Sequence, residues 1–106
     1  MNAELNVILR ELRRGMEELY GDRLERLVLF GSRARGDADP DSDIDVLVVL
    51  RGEVDPNEEI FRAGGVAADV SLRHDTLVSC IYISSRRYAA DEGPLLVNAR
   101  QEGIAI

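Results

Sequence analysis

The chain has no lysine, no tryptophan, a single cysteine, a single histidine and no long apolar run. Each shortage excludes something. All thirteen basic residues are arginines, so neither a Walker-type phosphate-binding lysine nor a Schiff-base lysine is available. Cys80 stands alone, which rules out an internal disulfide and a cysteine-based zinc site. No apolar stretch approaches the ~18 residues of a membrane-spanning helix. The charged N-terminus lacks the core of a signal peptide. Positive charge is scarce as well. Twenty acidic residues against thirteen basic ones leave a net charge of −7, which argues against a general nucleic-acid binder. With no repeat, linker or low-complexity segment, the expectation is a cytoplasmic protein, not membrane-bound, whose 106 residues form one domain, 1–106.

The apolar residues that are present fall into clear periods. Over Ala3–Tyr20, Leu5, Ile8, Leu9, Leu12, Met16 and Leu19 recur at spacings of three and four, which predicts an amphipathic helix. Gly21 is its expected C-cap, and Arg10, Arg13 and Arg14 read as a solvated face rather than an anion site. Leu24–Phe30 and residues 43–50 read as strands, the first ending in four apolar residues that suggest burial on both faces. Asp55 as N-cap, Pro56 at the first helical position and Glu58 two residues on start a second long helix, expected to run to about Arg73. Gly64-Gly65 weakens that helix by about 1 kcal/mol per glycine. The alternative is a break there, with residues 66–72 as a strand. Residues 77–83 form a third strand, with Cys80 a small buried apolar side chain. His74, at the end of the preceding helix, suits the helix dipole better than a catalytic role. A short helical stretch opens at Ser84-Ser85, a last helix covers 95–102, and residues 104–106 add an edge strand or pack on the core. The long helix between residues 43–50 and 77–83 predicts that these strands are parallel, neighbours or near-neighbours, joined by a right-handed crossover. The fold class is α/β (α+β): a small mixed sheet with helices mainly on one face.

Between the first two strands lies GSRARGDADPDSDID, residues 31–45. Asp43 and Asp45 are two apart at the entrance of a strand, so they project to the same side. Two adjacent carboxylates repel, and a divalent cation gives them a reason: Mg²⁺ takes oxygen ligands and commonly shares its site with substrate phosphates. Gly31 permits a tight turn, and Ser32 opens a short helix where N–H groups meet an anion. Competing motifs fail. Gly31 and Gly36 have Walker-A spacing, but Asp37-Ala38 stands where Lys-Ser/Thr is required. Asp37, Asp39 and Asp41 imitate a calcium loop without its glycine or its closing glutamate, and they read as a polar loop.

Gly31-Ser32, ten residues, then Asp43-Ile44-Asp45, with Arg33, Arg35 and the flanking strands, resembles the signature of the DNA polymerase beta-like nucleotidyltransferase superfamily. The segment PLLVNARQEGI, 94–104, is similar to the closing helix of that family's minimal members. The resemblance implies a polymerase beta-like core. It implies transfer of a nucleoside monophosphate, AMP foremost, from a nucleoside triphosphate to an acceptor hydroxyl. Gly31 and Ser32 would hold phosphates, and Arg33 and Arg35 would neutralise their charge, unless one pairs with the acidic loop. Asp43 and Asp45 would bind Mg²⁺ or Mn²⁺. The family also carries a third carboxylate near the third strand, serving a second metal and as general base. Here Asp75 is ranked first for it. Asp69 takes its place if the helix breaks at Gly64-Gly65, and the third carboxylate is missing if Ser79 stands in its position.

Two classes of function follow from the resemblance. One is an enzyme, a minimal Mg-dependent nucleotidyltransferase using ATP. The other is an interaction module, an antitoxin binding a small helical HEPN-type toxin, with or without residual nucleotide binding or transfer. A nucleotide-binding pseudoenzyme is a third reading. About a hundred residues leave little room for an acceptor domain, so a second chain, identical or not, is expected to complete the site as a homo- or hetero-oligomer.

Overall fold

The computed structural model describes residues 3–36 and 42–106. The polar loop expected at Asp37, Asp39 and Asp41 lies outside them. A four-stranded mixed sheet is formed by β1 (Leu24–Phe30), β2 (Ile44–Leu50), β3 (Val78–Ser84) and β4 (Ile104–Ala105), in the order β3-β2-β1-β4. β1 pairs antiparallel with β2 and with β4, and β2 pairs parallel with β3. The expected parallel pair is therefore present, shifted by one residue at β3.

Two long helices, α1 (Ala3–Tyr20) and α3 (Pro56–His74), cover one face of the sheet. Ile44, Val46, Val48 and Leu50 of β2 point into that layer, against Leu12 and Met16 of α1 and Ala63 and Val70 of α3. The opposite face carries a smaller core, in which Leu96 and Ala99 of α5 (Pro94–Glu102) pack on Val28, Leu47, Val49 and Ile83, with Tyr88 of α4 (Ser85–Ala90) at its margin. β2 is thus covered on both sides, and Val46 through Leu50 are wholly inaccessible to solvent. This is why its sequence is a continuous apolar run rather than an alternating one.

α3 is unbroken through Gly64-Gly65. Asp55 caps it, its side chain accepting from the Asn57 N–H at 3.0 Å. Tertiary packing offsets the low propensity of the glycine pair. A methyl group placed at Gly15 of α1 would sit 2.6 Å from Val66 Cγ1, so the missing side chain lets the two helices close. The strand alternative for residues 66–72 is excluded. At the far end Asp75 adopts a left-handed conformation with φ of 48° as the C-cap, and the Thr76 N–H donates to the Ser71 carbonyl. The Ser71 hydroxyl donates to the Ala67 carbonyl and accepts from the Val78 N–H at 3.0 Å, which ties the helix to β3. Cys80 packs against the main core, and burial pushes its thiol up to about 12. His74 bonds Glu11 of α1 at 2.6 Å, which holds that carboxyl below its usual range.

The expected stripe of α1 departs from the structure at its last position. Leu19 is 39% exposed and Tyr20 is buried instead. The reason is Glu59, which is 2% exposed. Its carboxylate accepts from the Tyr20 hydroxyl at 2.9 Å and from Arg62 at 2.6 Å, with Arg23 at 3.8 Å. A buried carboxylate is tolerable only when paired and hydrogen-bonded, so Tyr20 is turned inward to meet it. Tyr20→Phe should lower stability by about 1–3 kcal/mol, the range for stripping one partner from a buried charged acceptor. Urea unfolding checks this. A variant within a few tenths of a kcal/mol of wild type would show that the two arginines satisfy Glu59 alone.

Candidate functional site

The site forms where β1 ends and β2 begins. Phe30 is the antiparallel partner of Asp45, so the residue after β1 arrives beside the Asp45 side chain. That residue is Gly31, with φ of 75° and ψ of −158°. Such a conformation is essentially restricted to glycine. A Cβ there would also lie 2.8 Å from Asp45 Oδ2. Backbone and carboxylate are in close approach, and both facts demand glycine. The chain then makes one short helical turn, α2 (Ser32–Arg35), which no side chain caps.

Because Ile44 and Val46 point into the α1/α3 layer, Asp45 faces the opposite side of the sheet. Asp43 is exposed and Asp45 half-buried. Burial, and secondarily the charge of Asp43, raises the Asp45 carboxyl above its ordinary value. An oxygen-only pair with one destabilised carboxylate is a donor set that fits a hard divalent cation, since positive charge relieves both effects.

The arginines of the motif are both engaged. Arg33 donates through Nε and Nη2 to the Ser42 carbonyl at 3.1 and 2.9 Å, drawing the start of β2 toward α2. Arg35 pairs with Glu102 of α5 at 3.9 Å. Neither Ser42 nor Glu102 was expected at the site from sequence. Ser42 acts through its backbone, which leaves no residue-type signal, and Glu102 comes from the other end of the chain.

The three residues considered for a third carboxylate separate. Asp69 lies on the unbroken α3, paired with Arg73 at 3.0 Å, so the condition that would bring it to β3 is not met. Ser79 is the direct parallel partner of Asp45. Asp75 is exposed at the α3 C-cap, before β3 begins. Among the described residues, no group of three or more histidine, cysteine or carboxylate side chains comes together to hold a metal.

The family model for the nucleotidyltransferase domain matches residues 9–97. The chain belongs to the nucleotidyltransferase domain family. Its relatives include MJ0141 of Methanocaldococcus jannaschii, named as a candidate protein adenylyltransferase. The two are 37% identical over 78 residues, 74% of this chain and 78% of that protein. In three dimensions the chain resembles one from a toxin–antitoxin complex solved with AMP-PNP, with a TM-score of 0.64, 21% identity, and 98% of this chain and 72% of that one covered. It also resembles one from a complex of the tri-AMPylated Shewanella oneidensis HEPN toxin with MNT antitoxin, with a TM-score of 0.53, 19% identity, and 96% and 67% covered. At these identities the structural likenesses establish the polymerase beta-like nucleotidyltransferase fold.

Two outcomes test the site's physics without any ligand. Gly31→Ala should destabilise the protein by about 1–3 kcal/mol through its φ/ψ alone, with the Asp45 contact adding to that. Asp45→Asn should be more stable than wild type at neutral pH. A raised folded-state pKa means that ionisation disfavours the native state, a penalty absent below the unfolded carboxylate value and complete above the folded one. The melting-temperature gap between variant and wild type should therefore vanish at low pH and open as pH rises through that window. A gap independent of pH would remove the assigned electrostatics.

Proposed function

We propose that this nucleotidyltransferase-family chain transfers a nucleoside monophosphate, AMP from ATP, to a hydroxyl of a protein acceptor. The observation that carries the reading is the close approach of Gly31 to Asp45, which sets a side-chain-free turn against a paired carboxylate. The relative named as a protein adenylyltransferase, which the chain matches over most of both lengths, supports the choice of nucleotide and acceptor class. Asp43 and Asp45 would hold Mg²⁺ or Mn²⁺, which when bound offsets phosphate charge and polarises the group being transferred. At Gly31 the missing Cβ leaves room for the Asp45 carboxylate beside the turn, and the Ser32 hydroxyl would donate to phosphate oxygens. Arg33 keeps the turn and the start of β2 together, and Arg33 and Arg35 add positive potential. The acceptor oxygen forms a bond to the α-phosphorus, the bond to the β-phosphate oxygen breaks, and pyrophosphate leaves with the electron pair. The hydroxyl proton passes to Asp75, the exposed carboxylate at the entrance of β3.

The assay is labelled ATP with Mg²⁺ and a candidate protein acceptor, read by mass spectrometry for added AMP. Asp43→Asn with Asp45→Asn should abolish both the addition and the Mg-dependent rise in melting temperature that ATP produces in the wild type. Asp75→Asn should leave that rise intact and slow transfer by about 10²–10⁴, the usual worth of a general base. If wild type binds ATP but modifies no protein, the transfer reading fails.

A partner-binding role has its own support. On α3, Phe61 is 94% and Leu72 82% exposed. With Gly65 and Ala68 between them they recur at the spacing of a helix's outer stripe. We assign this stripe to a small helical partner of the HEPN type, the class found in the complex of the similarly folded antitoxin. Phe61→Arg with Leu72→Arg should weaken capture of a co-expressed HEPN-type protein at least tenfold while ATP binding persists. Unchanged capture would place the partner elsewhere.

A further inference from the structure

We infer that two copies of this chain pair through β3 as antiparallel strands about a two-fold axis at Ile81, and that each copy lends Arg86 to the other's Gly31/Asp45 site. The second clause rests on the nucleotide reading of that site; the pairing does not.

The sheet has two edges, and they are treated differently. β4 is two residues long, too short to template another strand. β3 is seven residues long and keeps a regular register with β2 along its whole length. Natural edge strands are protected by charged side chains, proline, bulges or brevity. Residues 77–85, LVSCIYISS, contain no charge, no proline and no glycine. On the face shared with Asp45, Leu77 is 59% exposed and Ile81 39% exposed, with Ser79 exposed between them. The outer backbone groups of this strand thus lie beside an uncovered apolar row.

Charge placement selects the occupant. Asp75 precedes the strand, and Arg86 and Arg87 follow it. Ile81 is the middle residue of Val78–Ser84, and an antiparallel copy about it brings the acidic end of one strand, at Asp75, toward the basic end of the other, at Arg86, Arg87 being bound to Asp91 in its own chain. A parallel copy would bring acid to acid and base to base.

The same axis reaches the site. α4 leaves β3 on the Asp45 face, since Tyr88 packs on the smaller core there. The second copy's α4 therefore starts at the end of the sheet where Asp43 and Asp45 lie. The Ile44 N–H donates to the Leu77 carbonyl, and Leu77 falls level with Ser85 of the second copy. Arg86 of the second copy thus stands about two strand spacings, ~10 Å, from the start of β2. In its own chain Arg86 is exposed and has no ion-pair partner among the described residues. A guanidinium extended from there approaches phosphates held with a cation at Asp43 and Asp45, at the start of β2.

Sedimentation equilibrium of the full chain should give roughly twice the 11.8 kDa chain mass at tens of micromolar. Ile81→Lys, which sets two ammonium groups face to face on the axis, should give the single-chain mass with a native circular-dichroism spectrum and a melting temperature that no longer depends on protein concentration. Ile81→Cys in a Cys80→Ser background should cross-link as a symmetric disulfide under mild oxidation. Arg86→Ala should remain dimeric and bind ATP with Mg²⁺ about tenfold more weakly. Mixing it with the Asp43→Asn/Asp45→Asn chain should restore tight binding. A wild type that stays monomeric without cross-linking overturns the pairing, as does a dimer that survives Ile81→Lys. ATP affinity untouched by Arg86→Ala overturns the shared arginine. Absence of ATP binding in wild type defeats the nucleotide reading, while mass and cross-link still decide the pairing.

Discussion

The burial of β2 on both faces is the constraint from which the rest of the structure follows. A strand without a solvated side must carry apolar residues at every position inside the sheet, and Val46 through Leu50 do so without exposure. Polar chemistry can only be placed where that cover ends. It ends at Asp45, which is half-buried beside the turn that β1 makes at Gly31. The carboxylate is held against a backbone rather than in open solvent, and burial raises its pKa.

The helices that cover β2 depend on a polar contact of their own. Glu59 is buried among apolar side chains, and its charge is acceptable only because Tyr20, Arg62 and Arg23 converge on it. The contact fixes α3 to the end of α1 and thereby fixes where α3 begins. Gly15 lets the helices close farther along, and Ser71 binds the end of α3 to the start of β3. Ser79 consequently falls beside Asp45. The stretch between β2 and β3 therefore positions the residue beside Asp45.

Much of this was legible from residues in order. The periods of α1, β1, β2 and α3 mark their own elements, because each buries one stripe or both faces against a fixed layer. Gly31, Asp43 and Asp45 could be paired because they sit at facing ends of adjacent apolar runs. The misreading at the end of α1 has a long-range cause. Leu19 and Tyr20 are both apolar enough to close the α1 stripe, and the choice between them was made by Glu59, far along the chain. The expected single helix through Gly64-Gly65 is the one observed, packed on α1 where Gly15 meets Val66.

What the sequence determined by itself was the set of elements and the turn at the end of β1 that meets the Asp43–Asp45 pair, since both rest on local period, turn geometry and short spacing. What only the tertiary structure decided was which distant groups meet. The partnering of Arg33 with the Ser42 carbonyl, of Arg35 with Glu102 and of Asp45 with Ser79 depends on strand register and helix placement. So does the separation of Asp69 from the site, which follows from a helix that stays intact. Register is set by the summed burial of whole faces, and no single residue carries that sum.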